Sequence, residues 1–123
     1  MGLSLVERQA TLDARFPTTG GGDYIGYSTN GTSENTTVFT SRTAIGATGW
    51  AAATAATPSV KANANTLTTA AAAAGGTITH YAVFSAVTGG TQRTDWQTLD
   101  NSRVIAIGDQ GQWAVGQIKI TLA

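Results

Sequence analysis

The chain has 123 residues, of which 41% are hydrophobic and only 11% charged, against about 25% charged in an average soluble domain. Seven Lys and Arg balance seven Asp and Glu, and the five arginines (Arg8, Arg15, Arg42, Arg93, Arg103) are scattered, so no basic footprint for nucleic acid is expected. No cysteine is present, which removes disulfides, thiolate metal sites and thiol catalysis together. What remains is a neutral surface rich in Thr and Ser, and a chain with so little charge to keep it dispersed suits a large assembly.

The N-terminal stretch from Met1 to Arg8 is too short and too soon charged to be a secretory signal. Nor does any run reach the ~18 apolar residues of a membrane span, so a soluble protein with no membrane partner is expected. Ser4 followed by Glu7 forms a capping box, and Pro17 closes the stretch, predicting a helix from Leu5 to Arg15. Its apolar positions Leu5, Leu12 and Phe16 make a thin stripe, and a helix of three turns must dock on something to persist. Gly20-Gly21-Gly22 reads as a hinge, which divides the chain into an N-terminal arm, 1–22, and a β domain, 23–123.

From Asp23 onward the pattern alternates. Strands are predicted at Tyr24 to Ser28, Thr36 to Thr40 with Val38 and Phe39 on opposite faces, and weakly at Ala44 to Trp50. Residues 51–76 are low in complexity. The run Ala70 to Ala74 has no cap and no apolar stripe, so strand is expected at Ser59 to Lys61 and Thr66 to Thr69, with a loop after it and no helix. Thr77 to Phe84 reads as a central strand, apolar on both faces. A hairpin at Thr88 to Thr91 leads to Gln92 through Leu99, a turn at Asp100-Asn101-Ser102 leads to Arg103 through Ile107, and Gly108-Asp109 turns again. Gln112 to Val115 gives a short edge, and Gln117 to Leu122 alternates so that Ile118, Ile120 and Leu122 point inward. Short strands at this spacing predict a mainly β, single-domain antiparallel sandwich or jelly roll with one short N-terminal helix.

Chemistry is sparse. A hydrolytic triad would rest on His80, the single histidine, and a strand histidine bonded to a neighbouring hydroxyl is the preferred reading. Asp95, Asp100 and Asp109 are the nearest carboxylates to a glycosidase pair, but two of them occupy turns. No calcium loop, zinc spacing or phosphate loop occurs. Asn30-Gly31-Thr32 and Asn35-Thr36-Thr37 match the glycosylation pattern but read as turns of a Thr-rich loop. Tyr24, Tyr27, Trp50, Tyr81, Trp96 and Trp113 offer aromatic surface, for which core and subunit-interface packing is preferred over a sugar platform. No enzyme, cofactor, metal or small-molecule ligand is expected.

The segment Thr77-Ile78-Thr79-His80-Tyr81-Ala82-Val83-Phe84, with Thr88-Gly89-Gly90, Trp96, Gly108-Asp109 and Gly116 to Leu122, resembles a family of small tailed-phage virion proteins commonly called tail fibre or minor tail proteins. The resemblance covers nearly the whole chain and departs at Thr69 to Ala74, where polyalanine stands in place of a more structured stretch. It implies a virion structural protein, although a domain without fibrous repeats or heptads is not expected to form a fibre shaft. Two uses follow from it. The preferred one is a capsid decoration protein on the outer head surface, a homotrimer clamping the major capsid protein, because a helix behind a glycine hinge would make a reaching arm and no carbohydrate-binding constellation stands out. The alternative is a tail or tail-tip component. Leu5, Leu12 and Phe16 on the arm, with Trp50 and Trp113, are the expected partner contacts.

Overall fold

A computed structural model describes residues 4–20, 22–56 and 58–122. One helix, α1 (Leu5–Arg15), precedes eight strands: β1 (Tyr24–Ser28), β2 (Thr43–Ala44), β3 (Ser59–Ala62), β4 (Leu67–Thr68), β5 (Gly76–Phe84), β6 (Gln97–Ile105), β7 (Gln112–Trp113) and β8 (Lys119–Leu122). The helix begins as the capping box requires, with Ser4 Oγ accepting from the Glu7 amide at 3.2 Å. Gly21, the middle of the expected hinge, and Met1 to Leu3 of the expected arm lie outside the described residues.

All pairings are antiparallel, so the β-rich expectation holds. The main sheet runs β2-β1-β5-β6, and two ribbons, β3-β8 and β4-β7, supply the layer opposite it. β5 is central, as its two apolar faces predict. The layers meet where Tyr27 of β1 stacks on Trp113 of β7 at 4.9 Å, and where the Tyr81 hydroxyl of β5 bonds the Lys119 backbone of β8. Ile25, Tyr27, Ile78, Val83, Trp113 and Ile118 form the centre of the core. The opposite face of the main sheet is covered in part by the loop after β1: Gly31 lies against the His80 ring, and Arg42 sits 3.7 Å over the Phe84 ring, while Phe39 turns in to meet Tyr27.

Four expectations are corrected. Thr36 to Thr40 is no strand, because the Asn35 side chain accepts from the amides of Thr37 and Val38 and bends the chain so that Val38 and Phe39 are both buried. Ala44 to Trp50 is a strand only at its start. Gly46 has φ of 89°, and at Gly49 a Cβ would lie 2.0 Å from the Ile45 carbonyl oxygen, so the chain turns where a strand was expected. Asp100-Asn101-Ser102 does not end a strand. Its turn-forming residues form a bulge inside β6, where the register jumps from Ile78↔Arg103 to His80↔Thr98. Regular pairing of β6 also starts at Gln97, five residues later than expected, with Gln92 making an isolated bridge to Phe84.

Other readings hold. The alanine run forms no helix, and its backbone bonds are distant: Ala72 donates to Asp109, Ala73 to Val38, and Gly108 donates back to Ala72. Gly89 and Gly90 take φ of 63° and 68° in the expected hairpin turn. Ile118 and Ile120 are buried as the final alternation predicts.

Candidate functional site

The helix is where sequence reasoning and structure part most sharply. Rather than reaching away, α1 is docked along β3 and the strand-like segment beside it. Gln9 Nε2 donates to the Ala53 carbonyl at 3.0 Å, and Asp13 Oδ1 accepts from the Ala53 amide at 2.9 Å and from Lys61 Nζ at 2.7 Å. The Lys61 side chain is fully buried, and Asp13 is its partner. Burial by itself would raise the Asp13 carboxyl, but the hydrogen bonds from Lys61 and Ala53 and the charge of Lys61 outweigh it and hold the pKa below the ordinary 3.8.

The helix end is locked by a second network. Phe16 meets the Trp50 ring edge-on at 5.9 Å, and the Arg93 guanidinium lies 4.2 Å from the Phe16 ring centre. Arg93 also donates to Asp23 Oδ1 and to the Arg15 carbonyl, while Trp50 Nε1 donates to Asp23 Oδ2 at 3.0 Å. Buried Asp23 thus ties the helix end to the β5–β6 connection.

These contacts decide what the sequence-derived partner residues do within one chain. Leu12, Phe16, Trp50 and Trp113 are all in the chain's own core, and only Leu5 of the five keeps substantial exposure. The stripe read as an arm's contact surface is spent inside the protein, because a thin apolar stripe on a short helix gains most by covering its own β body. Of the six aromatic residues weighed as a platform, Tyr27, Trp50, Tyr81 and Trp113 are buried, leaving Tyr24 and Trp96 half-exposed.

His80 Nδ1 shares a 2.7 Å hydrogen bond with Thr79 Oγ1, and its ring faces Gly31. Nearby Ser28 Oγ is a turn anchor, accepting from the amides of Asn30 and Gly31 and donating to Asn30 Oδ1. Among the described residues no carboxylate hydrogen-bonds the imidazole, and the hydroxyl it meets is that of Thr79 on the same strand. The three aspartates are dispersed in role. Asp100 pairs with Lys119 at 2.9 Å, Asp109 accepts from the Ala106 amide at 3.0 Å, and Asp95 stands exposed. No cluster of three His, Asp or Glu able to hold a metal occurs among the described residues. No described helix is long and apolar enough to cross a membrane.

A cleft of about 600 Å³ lies between the C-terminal half of α1, the β5–β6 connection and β8. Leu12, Phe16 and Ile120 form its floor, with Arg15 and Thr11 on the helix wall and Asp95 and Gln97 opposite. That volume is typical of a binding cleft. The guanidinium of Arg15 and the carboxylate of Asp95 make no hydrogen bond or ion pair with the described residues, so the walls present one uncommitted charge of each sign. Sequence reading missed this cleft, since its walls come from three distant segments whose only shared signal is Thr and Gln content. A second staple it missed is Arg42, whose fork bonds both oxygens of Glu34 at 2.9 Å and whose Nη1 donates to the carbonyls of Ala86 and Gly89 at 2.8 Å.

Rings, ion pairs and turn anchors here hold loops and a helix onto an antiparallel β body. The chain belongs to the family described as Podophage GP4 fiber I protein gp80, whose model matches residues 13–121. It is therefore a component of the phage virion. No curated protein matches it.

Proposed function

We propose that the protein is a structural subunit of the virion's fibre apparatus at the tail, acting through subunit contacts and not through chemistry on a ligand. The family match over residues 13–121 carries this reading, since it spans β1 through Thr121 of β8, with only the last turn of α1 inside it. Capsid decoration is favoured by a reaching helical arm and by the lack of a carbohydrate constellation, and α1, fastened by Asp13, Gln9 and Phe16, supplies no such arm within one chain.

Immunogold labelling of intact particles and of isolated heads with an antibody to the folded chain tests the assignment. Label confined to the tail end, with bare isolated heads, is expected. Label spread evenly over head surfaces would overturn it in favour of decoration of the major capsid protein.

A further inference from the structure

The cleft contains an open strand edge. On β3 the carbonyls of Val60 and Ala62 point away from β8, because they accept from the amides of Thr54 and Ala51. The Asn63 amide donates to the Ile118 carbonyl in the same register. Antiparallel alternation then fixes Lys61↔Ile120 and Ser59↔Leu122 as the bonded pairs, and turns the N–H and C=O of Lys119 and Thr121 away from β3. At Lys119 both groups are taken by the Tyr81 hydroxyl at 2.8 Å. At Thr121, two residues on, no described residue takes either, and Thr121 lines the cleft.

A complementary surface lies elsewhere on the same chain. β6 is the outer strand of the main sheet, and at its end Val104 and, in the turn that follows, Ile107 are 82% and 73% exposed, the most exposed large apolar side chains among the described residues. From Val104 to Ile107 the segment carries no charge, and the cleft's two uncommitted charges, Arg15 and Asp95, cancel. We infer that the cleft receives a second copy of this chain: the Val104 to Ile107 end of a neighbour's β6 lies along β8 at Thr121, over the Leu12, Phe16 and Ile120 floor. The Ala106 N–H and C=O are held by Asp109 of their own chain, so the main-chain bonds to Thr121 come from the neighbour's Val104–Ile105 stretch, and the apolar floor covers its valine and isoleucine. Donor and acceptor surfaces differ, so the contact is heterologous and propagates head to tail into a closed ring or an open chain. The inference concerns the purified chain and holds whether the protein sits on the tail or the head.

The absence of native cysteine makes the test direct. Val104→Cys and Thr121→Cys are prepared singly and together, and oxidised at a concentration where sedimentation reports the oligomer. Within one chain the two sites cannot bridge. Val104 faces Thr77 on β5, whereas Lys119 meets Tyr81 four residues further along, roughly 13 Å away, and Thr121 continues beyond it towards Ser85. The double variant is expected to give a covalent ladder or ring, an equimolar mixture of the single variants to give covalent dimers only, and each single variant alone to give no covalent cross-link. Thr121→Pro, which removes the outward N–H and leaves the bonds to β3, is expected to lose the sedimenting oligomer with an unchanged circular dichroism spectrum. A wild-type chain that stays monomeric, absence of cross-linking in both the double variant and the mixture, or a Thr121→Pro variant that is folded and still oligomeric would each overturn the inference.

Discussion

Asp13→Ala should unfasten the helix. In the folded chain the Asp13 carboxylate holds the Lys61 ammonium, whose side chain has no exposure, and caps the Ala53 amide. Removing one partner of a buried ion pair costs about 3–5 kcal/mol, because the other charge is left uncompensated. Asp13 itself keeps 38% of its side chain exposed, so water replaces part of the lost interaction and the loss falls to the bottom of that range or just under it, about 2–3 kcal/mol. At roughly 2.1 cal/mol/K of unfolding entropy per residue, 123 residues lose about 4 °C of Tm per kcal/mol, giving a fall of about 8–12 °C by calorimetry. Adding Lys61→Met should restore most of this, since the double variant buries no unpaired charge. The pH profile carries the same signature. Because the folded pKa of Asp13 lies below 3.8, its contribution is present above that value and is lost as pH falls through the lowered pKa. Asp13→Ala should therefore flatten the stability profile below about pH 4. A loss within about 0.5 kcal/mol, the range of an ordinary surface substitution, would refute the latch.

Arg42→Lys keeps the charge but cannot reproduce the fork to Glu34 while also reaching two carbonyls, so a loss of about 1–2 kcal/mol is expected, with faster amide exchange across residues 29–42 as the local readout. Gly31→Ala is expected to cost more than 1 kcal/mol in urea unfolding: φ of 77° disfavours a side chain by about 1–2 kcal/mol, and the new Cβ would lie 2.7 Å from His80 Nε2. Adding His80→Ala should recover the steric part only, leaving the backbone part in place.

What was legible in the sequence was whatever local chemistry decides. Ser4 and Glu7 specify the helix start, the alternation from Gln117 to Leu122 specifies a half-buried strand, and Gly89-Gly90 specifies a turn; each needs only near neighbours. The polyalanine run forms no helix for an equally local reason, since a helix without a packing face has nothing to hold it. Failures occurred where a side chain's partner is far away in sequence. Thr36 to Thr40 has strand propensity, but Asn35 offers its amides a closer acceptor. Asp100 to Ser102 carries turn signals on a strand already held by β5 at both ends, so the turn is absorbed as a bulge. Lys61 sits in a strand as a residue that ordinarily faces water. Nothing local shows that Asp13, 48 positions away, makes its burial tolerable.

The same distinction bears on how the molecule meets other copies. Large apolar side chains are the usual signal of an interface, and here Trp50, Trp113, Leu12 and Phe16 are all consumed by the core of a small chain that needs them. What remains outside among the described residues is Leu5 and Val6 at the start of α1, β-branched residues on or near strand ends, and a backbone edge. Tyr81 shows how such an edge is closed from within: its hydroxyl occupies both backbone groups of Lys119, doing for one residue what a neighbouring strand does for several. The substitute reaches no further than Lys119, so Thr121 is the position where an added strand gains hydrogen bonds without displacing any. A neutral, weakly charged surface makes contacts of this kind insensitive to salt, because main-chain bonds and apolar cover do not depend on exposed ion pairs. For a component of a virion, that independence from ionic strength is a physical advantage of edge pairing over charge pairing.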